Sequence, residues 1–169
     1  MDFRTQLVAE IPYLRRFARA LSGDAALADD LVQDCIERAL RKTEYYDPAR
    51  PLRAWLFAVL RNIFISGLRR QGRATIVKTV DELIDGEDAV RPVQEDRLIS
   101  SQVTEALNRL PAQHREVIAL VALEEMSYRD VAEILGIPIG TVMSRLSRAR
   151  ESLKQILEDR GHTVLRRVK

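Results

Sequence analysis

The sequence predicts an all-α protein made of two small helical domains joined by a flexible acidic linker. Apolar residues recur at spacings of three and four over most of the chain, which is the period of an amphipathic helix, whereas no segment has the period of a strand. The helical pattern fails from about residue 71 to residue 95, where Gly72, Gly86 and Pro92 interrupt an acidic stretch. The 169 residues are enough for two small domains.

Composition and cysteine content exclude several classes of protein. Hydrophobic residues make up 46% of the chain, yet no apolar run reaches the roughly 20 residues that a membrane span needs. The N-terminus lacks the zones of a signal peptide, so a cytoplasmic location is expected. Cys35 is the single cysteine, and neither histidine has a cysteine nearby, so we expect no disulfide and no structural zinc site. No cofactor is predicted.

The first domain is predicted at residues 1–72. Its helices are expected at about residues 3–21, 25–42 and 52–70, with a loop at 43–51. Pro12 marks a point where the first helix is expected to kink or break. The apolar stripe of the second helix consists of Leu27, Leu31, Cys35 and Ala39, widened by Val32, Ile36 and Leu40. Because Cys35 lies on this stripe, we expect a buried small hydrophobe there and not a redox sensor.

The second domain is predicted at residues 96–158, after the linker at 73–95 and before a basic tail at 159–169. Its helices are expected at about residues 96–109, 112–124, 128–135 and 138–158. The linker is predicted to be irregular, with room for a short ordered piece at 80–84. The tail has no apolar period and is expected to be mobile.

The clearest motif lies at residues 127–150 and is predicted to be a helix-turn-helix. Ser127 and Asp130 have the spacing of a helix-capping pair, with Asp in place of the usual Glu. Gly136 allows a sharp turn because its missing side chain tolerates a positive φ. The small Ala132, four residues earlier, lets the next helix pack closely. Any one of these features alone would be weak evidence, and their joint occurrence favours the motif.

The second helix of this motif presents a polar and basic face. Val142 and Leu146 are predicted to face inward, which leaves outward-facing residues at its N-terminal half, namely Thr141, Ser144, Arg145 and Arg148. That half enters the DNA major groove in helix-turn-helix proteins. Arginine pairs with guanine edges or with phosphates, and serine and threonine contact either. The alternative is a helical hairpin whose basic face is merely solvated.

A second basic face is predicted on the helix at 52–70. The net charge is only +2, so the distribution of charge is more informative than its sum. Polar and basic residues share one face of this helix and its continuation, at Asn62, Ser66, Arg69, Arg70 and Arg73. The chain is basic again after Arg145, whereas the stretch at 81–96 is acidic.

Three blocks of sequence resemble the extracytoplasmic-function (ECF) group of sigma factors, and they follow the family's order. The blocks are 110–117 (LPAQHREV) with 127–150, 28–34 (ADDLVQD), and 54–57 (AWLF) with Arg61 and Asn62. The resemblance covers nearly the whole chain, from about residue 7 to residue 157. It implies a σ2-like domain and a σ4-like helix-turn-helix domain that together direct core RNA polymerase to promoters.

The resemblance assigns roles to three sets of residues. The −35 element is expected to be read as duplex by Thr141, Met143, Ser144, Arg145, Ser147 and Arg148. The −10 element is expected to be captured as single strand by Tyr45, Tyr46, Arg61, Asn62, Ser66, Arg69 and Arg70. Core polymerase is expected to bind Asp30, Gln33, Asp34 and Glu37. These residue types suit their roles, because a melted strand needs base pockets or stacking and cations for its phosphates.

Several of these roles have plain structural alternatives. Tyr45 and Tyr46 could stack on bases or cover the end of the core, while Trp55 lies on the apolar stripe and is predicted to belong to the core. The acidic face of the helix at 25–42 could be an ordinary solvated face. The linker could occupy basic nucleic-acid surfaces in polymerase or could be a simple tether. Met143 stands where many family members carry Arg or Lys, so the −35 preference is expected to differ.

Three other functions are alternatives to a sigma factor. An operator-binding regulator would not need the second basic face and would usually need a dimer surface, whereas this chain shows no heptad seam and is expected to be monomeric. A sigma-like decoy for an anti-sigma protein could lose its DNA-reading arginines, which persist here. An enzyme would need a phosphate loop, a nucleophile set or a metal cluster. The resemblance makes an anti-sigma factor a further expected partner.

Overall fold

The computed structural model describes residues 2–72 and 96–167, with side chains described in 2–72 and 102–159. The first domain contains three α-helices and one short 3-10 turn, which are α1 (Phe3–Ser22), α2 (Ala25–Arg41), the turn Thr43–Tyr45, and α3 (Leu52–Arg70). The three predicted helices are confirmed. The predicted linker at 73–95, with its suggested ordered piece at 80–84, lies outside the described residues.

The joint between α1 and α2 is set by two neighbouring residues, one that ends the first helix and one that caps the second. Gly23 takes the left-handed conformation, with φ of +69°, and ends α1. Asp24 then caps α2, because its carboxylate accepts a hydrogen bond from the Leu27 amide at 2.7 Å. The break predicted at Pro12 does not occur, since α1 continues through that residue, and the kink stays a prediction.

The second domain contains four further α-helices among the described residues. They are α4 (Asp96–Asn108), α5 (Ala112–Ile118), α6 (Tyr128–Leu135) and α7 (Ile139–Arg167), and a π-helical turn at Ala119–Leu123 follows α5. The segment predicted as one helix at 112–124 is therefore an α-helix that widens into a π turn. The predicted end of the last helix at residue 158 is wrong, because α7 continues through Arg167 and into the predicted tail, whose mobility stays a prediction.

The core is one continuous cluster of buried side chains that spans both domains. Phe17 of α1 and Phe57 of α3 are fully buried, and their ring centroids lie 4.8 Å apart. Cys35 is also fully buried, as its place on the apolar stripe predicted. Its thiol donates to the Leu56 carbonyl at 3.5 Å. Leu27 and Leu40, which the sequence assigned to the same stripe, are exposed, because they lie at its margins.

The all-α fold class is confirmed, and no strand occurs in the part of the chain that is described. None of the helices in residues 2–72 and 96–167 is long and apolar enough to cross a membrane. The same described residues hold no group of three or more histidine, cysteine or carboxylate side chains suited to a metal ion. Polar and basic residues reach the surface on two of the helices, α3 and α7.

Candidate nucleic-acid interface

The helix-turn-helix is built by local contacts at its two turns. The Ser127 hydroxyl accepts a hydrogen bond from the Asp130 amide at 3.1 Å and donates one to the Asp130 carboxylate at 2.6 Å. This pair caps α6, as its spacing predicted. Gly136 ends α6 with φ of +66°, and the Ile137 amide donates to the Ala132 carbonyl at 3.1 Å. These bonds fix the angle between α6 and α7.

The apolar side of α7 anchors the recognition helix. Val142 and Leu146 are buried, as predicted, and they turn the opposite side of the helix to solvent. Of the six residues predicted to read the −35 element, four are exposed, namely Met143, Ser144, Ser147 and Arg148. Thr141 and Arg145 are half-buried, so they contribute only part of their surface to the face.

The exposed face of α7 mixes one cation with small polar groups and a thioether. Met143 is 49% exposed and gives this face a hydrophobic point. The Ser144 hydroxyl donates to the Thr141 carbonyl at 3.1 Å, which leaves its oxygen lone pairs to accept from a base. An exposed apolar side chain can contact the methyl group of thymine, whereas arginine favours guanine.

The first helix of the motif contributes a residue that the sequence reasoning missed. Arg129 is exposed in the first turn of α6. The first helix of a helix-turn-helix crosses the DNA backbone, so a cation at its start is suited to a phosphate. The signal was present in the sequence, because Arg129 lies two residues after Ser127, the first residue of the capping pair.

The predicted −10 face on α3 is only partly open to solvent. Asn62, Arg69 and Arg70 are exposed and Ser66 is half-buried, and all four lie on the C-terminal part of the helix. Arg61 differs from them, because its guanidinium donates to Glu116 of α5 at 3.1 Å and 3.4 Å. The structure thus brings Asn62, Arg69 and Arg70 to one surface and directs Arg61 towards the second domain.

The two tyrosines before α3 divide between the alternatives left open by the sequence. Tyr46 packs against Phe3 and Trp55, with ring centroids 5.8 Å and 5.3 Å away, and its hydroxyl donates to the Arg50 carbonyl at 3.0 Å. It therefore covers the end of the core. Tyr45 is 70% exposed and leaves a ring face available for stacking. Trp55 is half-buried at the core's edge.

The polar face of α2 is accessible along its length. Asp30, Gln33, Asp34 and Glu37 are all exposed. The Gln33 amide donates to Glu37 at 3.3 Å, and Arg41 lies 3.7 Å from the same carboxylate. These contacts are weak surface contacts, so they leave the face free to bind a basic or polar partner.

A cleft of about 510 Å³ separates the loop before α3 from the first helix of the motif. Tyr45, Trp55 and Ala58 line it from the first domain, and Arg129 and Ile134 line it from the second. Arg50 reaches across to Glu133 at 2.8 Å. The two domains therefore face each other across this cleft.

Two carboxylates of the second domain are buried against arginines of the first. Glu116 and Glu124 are both buried, and Glu124 accepts from Arg16 at 2.9 Å between Oε2 and Nη2. Burial raises the pKa of Glu116, and the nearby guanidinium of Arg61 opposes that rise. No sequence pattern identified these pairs, because their partners are far apart in the chain.

Comparisons with known proteins match the two domains to two different family models. Residues 7–61 match the family model described as the Sigma2 domain of PhyR, and residues 100–153 match the model described as Sigma-70, region 4. The chain is 40% identical over 156 residues to the ECF RNA polymerase sigma factor EcfG of Rhodopseudomonas palustris, a match that covers 92% of this chain and 85% of that protein.

Two further relatives are similar over most of their length. The ECF RNA polymerase sigma factor SigL of Mycobacterium tuberculosis is 38% identical over 151 residues, which is 89% of this chain and 85% of that protein. The sigma factor RpoE of Bartonella quintana, solved in complex with the anti-sigma factor NepR, superposes with a TM-score of 0.79 at 39% identity. That superposition covers 93% of this chain and 97% of that one.

Proposed function

Since this chain belongs to the ECF RNA polymerase sigma factors, we propose that its α7 face reads the −35 promoter element and its α3 face captures the melted −10 element. The protein is a sigma factor that directs transcription initiation, and it is not an enzyme. It binds core RNA polymerase and is controlled by an anti-sigma factor. We place it in the cytoplasm, where promoters and polymerase are found in bacteria.

The two domains have different proposed binding partners. The first domain, residues 1–72, binds core polymerase and the −10 element, and the second, residues 96–158, binds the −35 element. The linker at 73–95 connects them. Because the α2 face at Asp30, Gln33, Asp34 and Glu37 is exposed and acidic, it supports the proposed contact with polymerase.

Recognition of the −35 element rests on the exposed half of α7. Arg148 and Ser144 supply polar contacts, while Met143 supplies an apolar one. Arg129 of α6 is proposed to hold a phosphate beside the groove. Because Met143 carries no charge, we expect a thymine methyl group, and not a phosphate, at the position that it faces.

Capture of the −10 element rests on the exposed part of α3 and the loop before it. Asn62 offers an amide for a base edge, and Arg69 and Arg70 offer cations for the backbone. Tyr45 is proposed to stack on a base, while Tyr46, which packs against Trp55, is proposed to cover the core. Arg61 donates to Glu116 in this structure and is proposed to join this set when the domains separate.

The observation that carries the proposal is that one chain presents two polar and basic surfaces. One is the exposed face of α7 and the other is the exposed face of α3, and residues 73–95 connect their domains. Run-off transcription with core RNA polymerase and a genomic promoter library tests it. We expect transcripts that start at a fixed distance from a shared pair of motifs. Absence of any transcript above that of core polymerase alone would remove the promoter-directing role from this chain.

One observation favours a second candidate, a sigma-like protein that binds an anti-sigma factor in place of a true sigma factor. The family model that matches residues 7–61 is described as the Sigma2 domain of PhyR. The same transcription assay separates the two candidates. A sigma factor yields promoter-specific transcripts, whereas a decoy yields none and still binds an anti-sigma protein.

A further inference from the structure

The contact between the two domains is electrostatically one-sided. Among the residues whose side chains the structure describes, three ion pairs cross it with the arginine in the first domain and the glutamate in the second. The pairs are Arg16–Glu124, Arg61–Glu116 and Arg50–Glu133. Apolar packing accompanies them, because buried residues of both domains belong to one cluster. Such an arrangement favours one orientation of the two domains, since each glutamate meets an arginine of the first domain at a defined place.

The three pairs differ in how far they are removed from water. The Glu124 side chain is 0% exposed and accepts two hydrogen bonds from Arg16, whose own side chain is 48% exposed. Glu116 and Arg61 are 10% and 18% exposed. The Arg50–Glu133 pair is largely exposed, so it contributes little. A buried carboxylate that loses its cation is strongly destabilising, so Arg16 and Arg61 are the important members.

One member of the contact has a second proposed duty. Arg61 belongs to the set proposed to bind the −10 strand, yet its Nε and Nη2 atoms donate to Glu116 and its side chain is only 18% exposed. While it holds Glu116, the Arg61 guanidinium points towards the second domain and offers little of its surface to a strand lying on α3. Domain contact therefore opposes full engagement of Arg61 with the −10 strand.

We propose that the three arginine–glutamate pairs form an interdomain clasp that keeps the free chain closed and keeps Arg61 away from DNA until the domains separate. The part of this inference that concerns DNA rests on the proposed function of the α3 face. The closure of the two domains through the clasp does not rest on that proposed function. A ligand that binds only the separated form must supply the free energy of opening, so the clasp lowers the apparent affinity for single-stranded −10 DNA.

Charge reversal at Arg16, the partner of the most buried carboxylate, tests the clasp without touching any proposed DNA or polymerase contact. Arg16→Glu places a second carboxylate beside Glu124 and is expected to open the domains. Arg15→Glu is the matched control, because Arg15 is the neighbouring residue and pairs with Asp29 inside the first domain. The swap Arg16→Glu with Glu124→Arg is expected to restore closure.

Closure is measured on the full chain by fluorescence energy transfer between dyes on cysteines introduced at Glu44 and Gln155, both exposed. The native Cys35 does not interfere, since burial raises the pKa of its thiol to about 12. We expect lower transfer efficiency in Arg16→Glu, and efficiencies equal to the parent protein in Arg15→Glu and in the swap.

Accessibility of Arg61 provides a second readout, through its modification by phenylglyoxal followed by mass spectrometry. The rate at Arg61 is expected to rise by about tenfold or more in Arg16→Glu, while the rate at exposed Arg69 stays constant. Circular dichroism confirms folding, and Arg16→Ala serves as a milder variant if charge reversal unfolds the chain. Unchanged transfer and unchanged Arg61 protection in a folded variant would overturn the clasp, whether or not the chain directs transcription.

Discussion

The two surfaces proposed to bind DNA are made in different ways. The α7 face is built by one short stretch, in which the Ser127 cap and the Gly136 turn orient a helix whose own apolar side fixes its rotation. The α3 face is presented by a single helix too, but one of its members, Arg61, is held by Glu116 from 55 residues away. Local sequence therefore suffices to make a DNA-binding face, whereas its availability depends on the partner domain.

This difference suggests an order of events at a promoter. The −35 face is exposed in the closed chain, while the −10 face gains Arg61 only when the domains part. Duplex recognition can thus precede single-strand capture. The predictions below separate the two faces, beginning with the variant expected to have the largest effect.

Phe57→Ala removes the largest buried side chain of α3 and its contact with Phe17. We expect the free energy of unfolding to fall by about 3–5 kcal/mol, because a cavity replaces a fully buried ring. Urea unfolding followed by circular dichroism measures this change. Hydrogen exchange then tests whether the domains are coupled, since loss of protection confined to the first domain would show that α6 and α7 are stable without it.

Arg148→Ala is expected to weaken binding of the full chain to a −35 duplex by about 1–3 kcal/mol if the side chain reads a base. Lys154→Ala, on the same helix but beyond its N-terminal half, is the matched control and should change affinity less. Fluorescence anisotropy at fixed salt measures both. Equal losses in the two variants would reduce Arg148 to a general contributor of positive charge.

Gly136→Ala tests the claim that the −35 face is set by its turn. An added Cβ meets no atom within 4 Å, so the cost comes from the backbone, whose φ is +66°. We expect about 1–2 kcal/mol of lost stability, measured by thermal unfolding. Gly67→Ala is the control, because Gly67 lies inside α3 with equal space and no positive φ, and there alanine should be neutral or stabilising. Equal losses at both sites would argue against a special role for the turn.

Asn62→Ala is expected to slow promoter opening by roughly tenfold, about 1.4 kcal/mol, with little change in closed-complex formation. The reason is that Asn62 lies on the −10 face, which acts after duplex binding. Permanganate footprinting of melted thymines and gel mobility of closed complexes separate the two steps. Arg148→Ala should instead weaken closed-complex formation and change the opening step little. If Asn62→Ala impairs both steps alike, the residue supports the fold instead.

Glu125→Gly is expected to have the smallest effect and the opposite sign to Gly136→Ala. Glu125 adopts φ of +54°, a conformation that costs a non-glycine residue free energy, in the turn before the helix-turn-helix. Glycine relieves that cost but adds freedom to the unfolded chain, so the net gain in unfolding free energy should stay below about 1 kcal/mol. Lower stability on urea titration would mean that Glu125 makes a compensating contact.

The sequence predicted most elements because their signals are local. The apolar period of α2, the Ser127–Asp130 spacing and Gly136 each act over a few residues, and each is found as expected. Predictions failed where a local signal competes with packing. Pro12 does not break α1, and α7 runs to Arg167 past the point where its apolar period ends. Leu27 and Leu40 showed that membership of a stripe does not fix burial at its edges.

By itself, the sequence determined the helices, the helix-turn-helix and the residue types on its two DNA-facing surfaces, because helical period, capping and turn chemistry involve neighbours in the chain. Only the tertiary structure decided which of those residues are available. Tyr45 is exposed while Tyr46 is packed, and Arg61 is paired while Asn62 is open. The physical reason is that a buried charge needs an opposite charge beside it, and the chain brings Glu116 and Glu124 to their arginines only by packing one domain against the other.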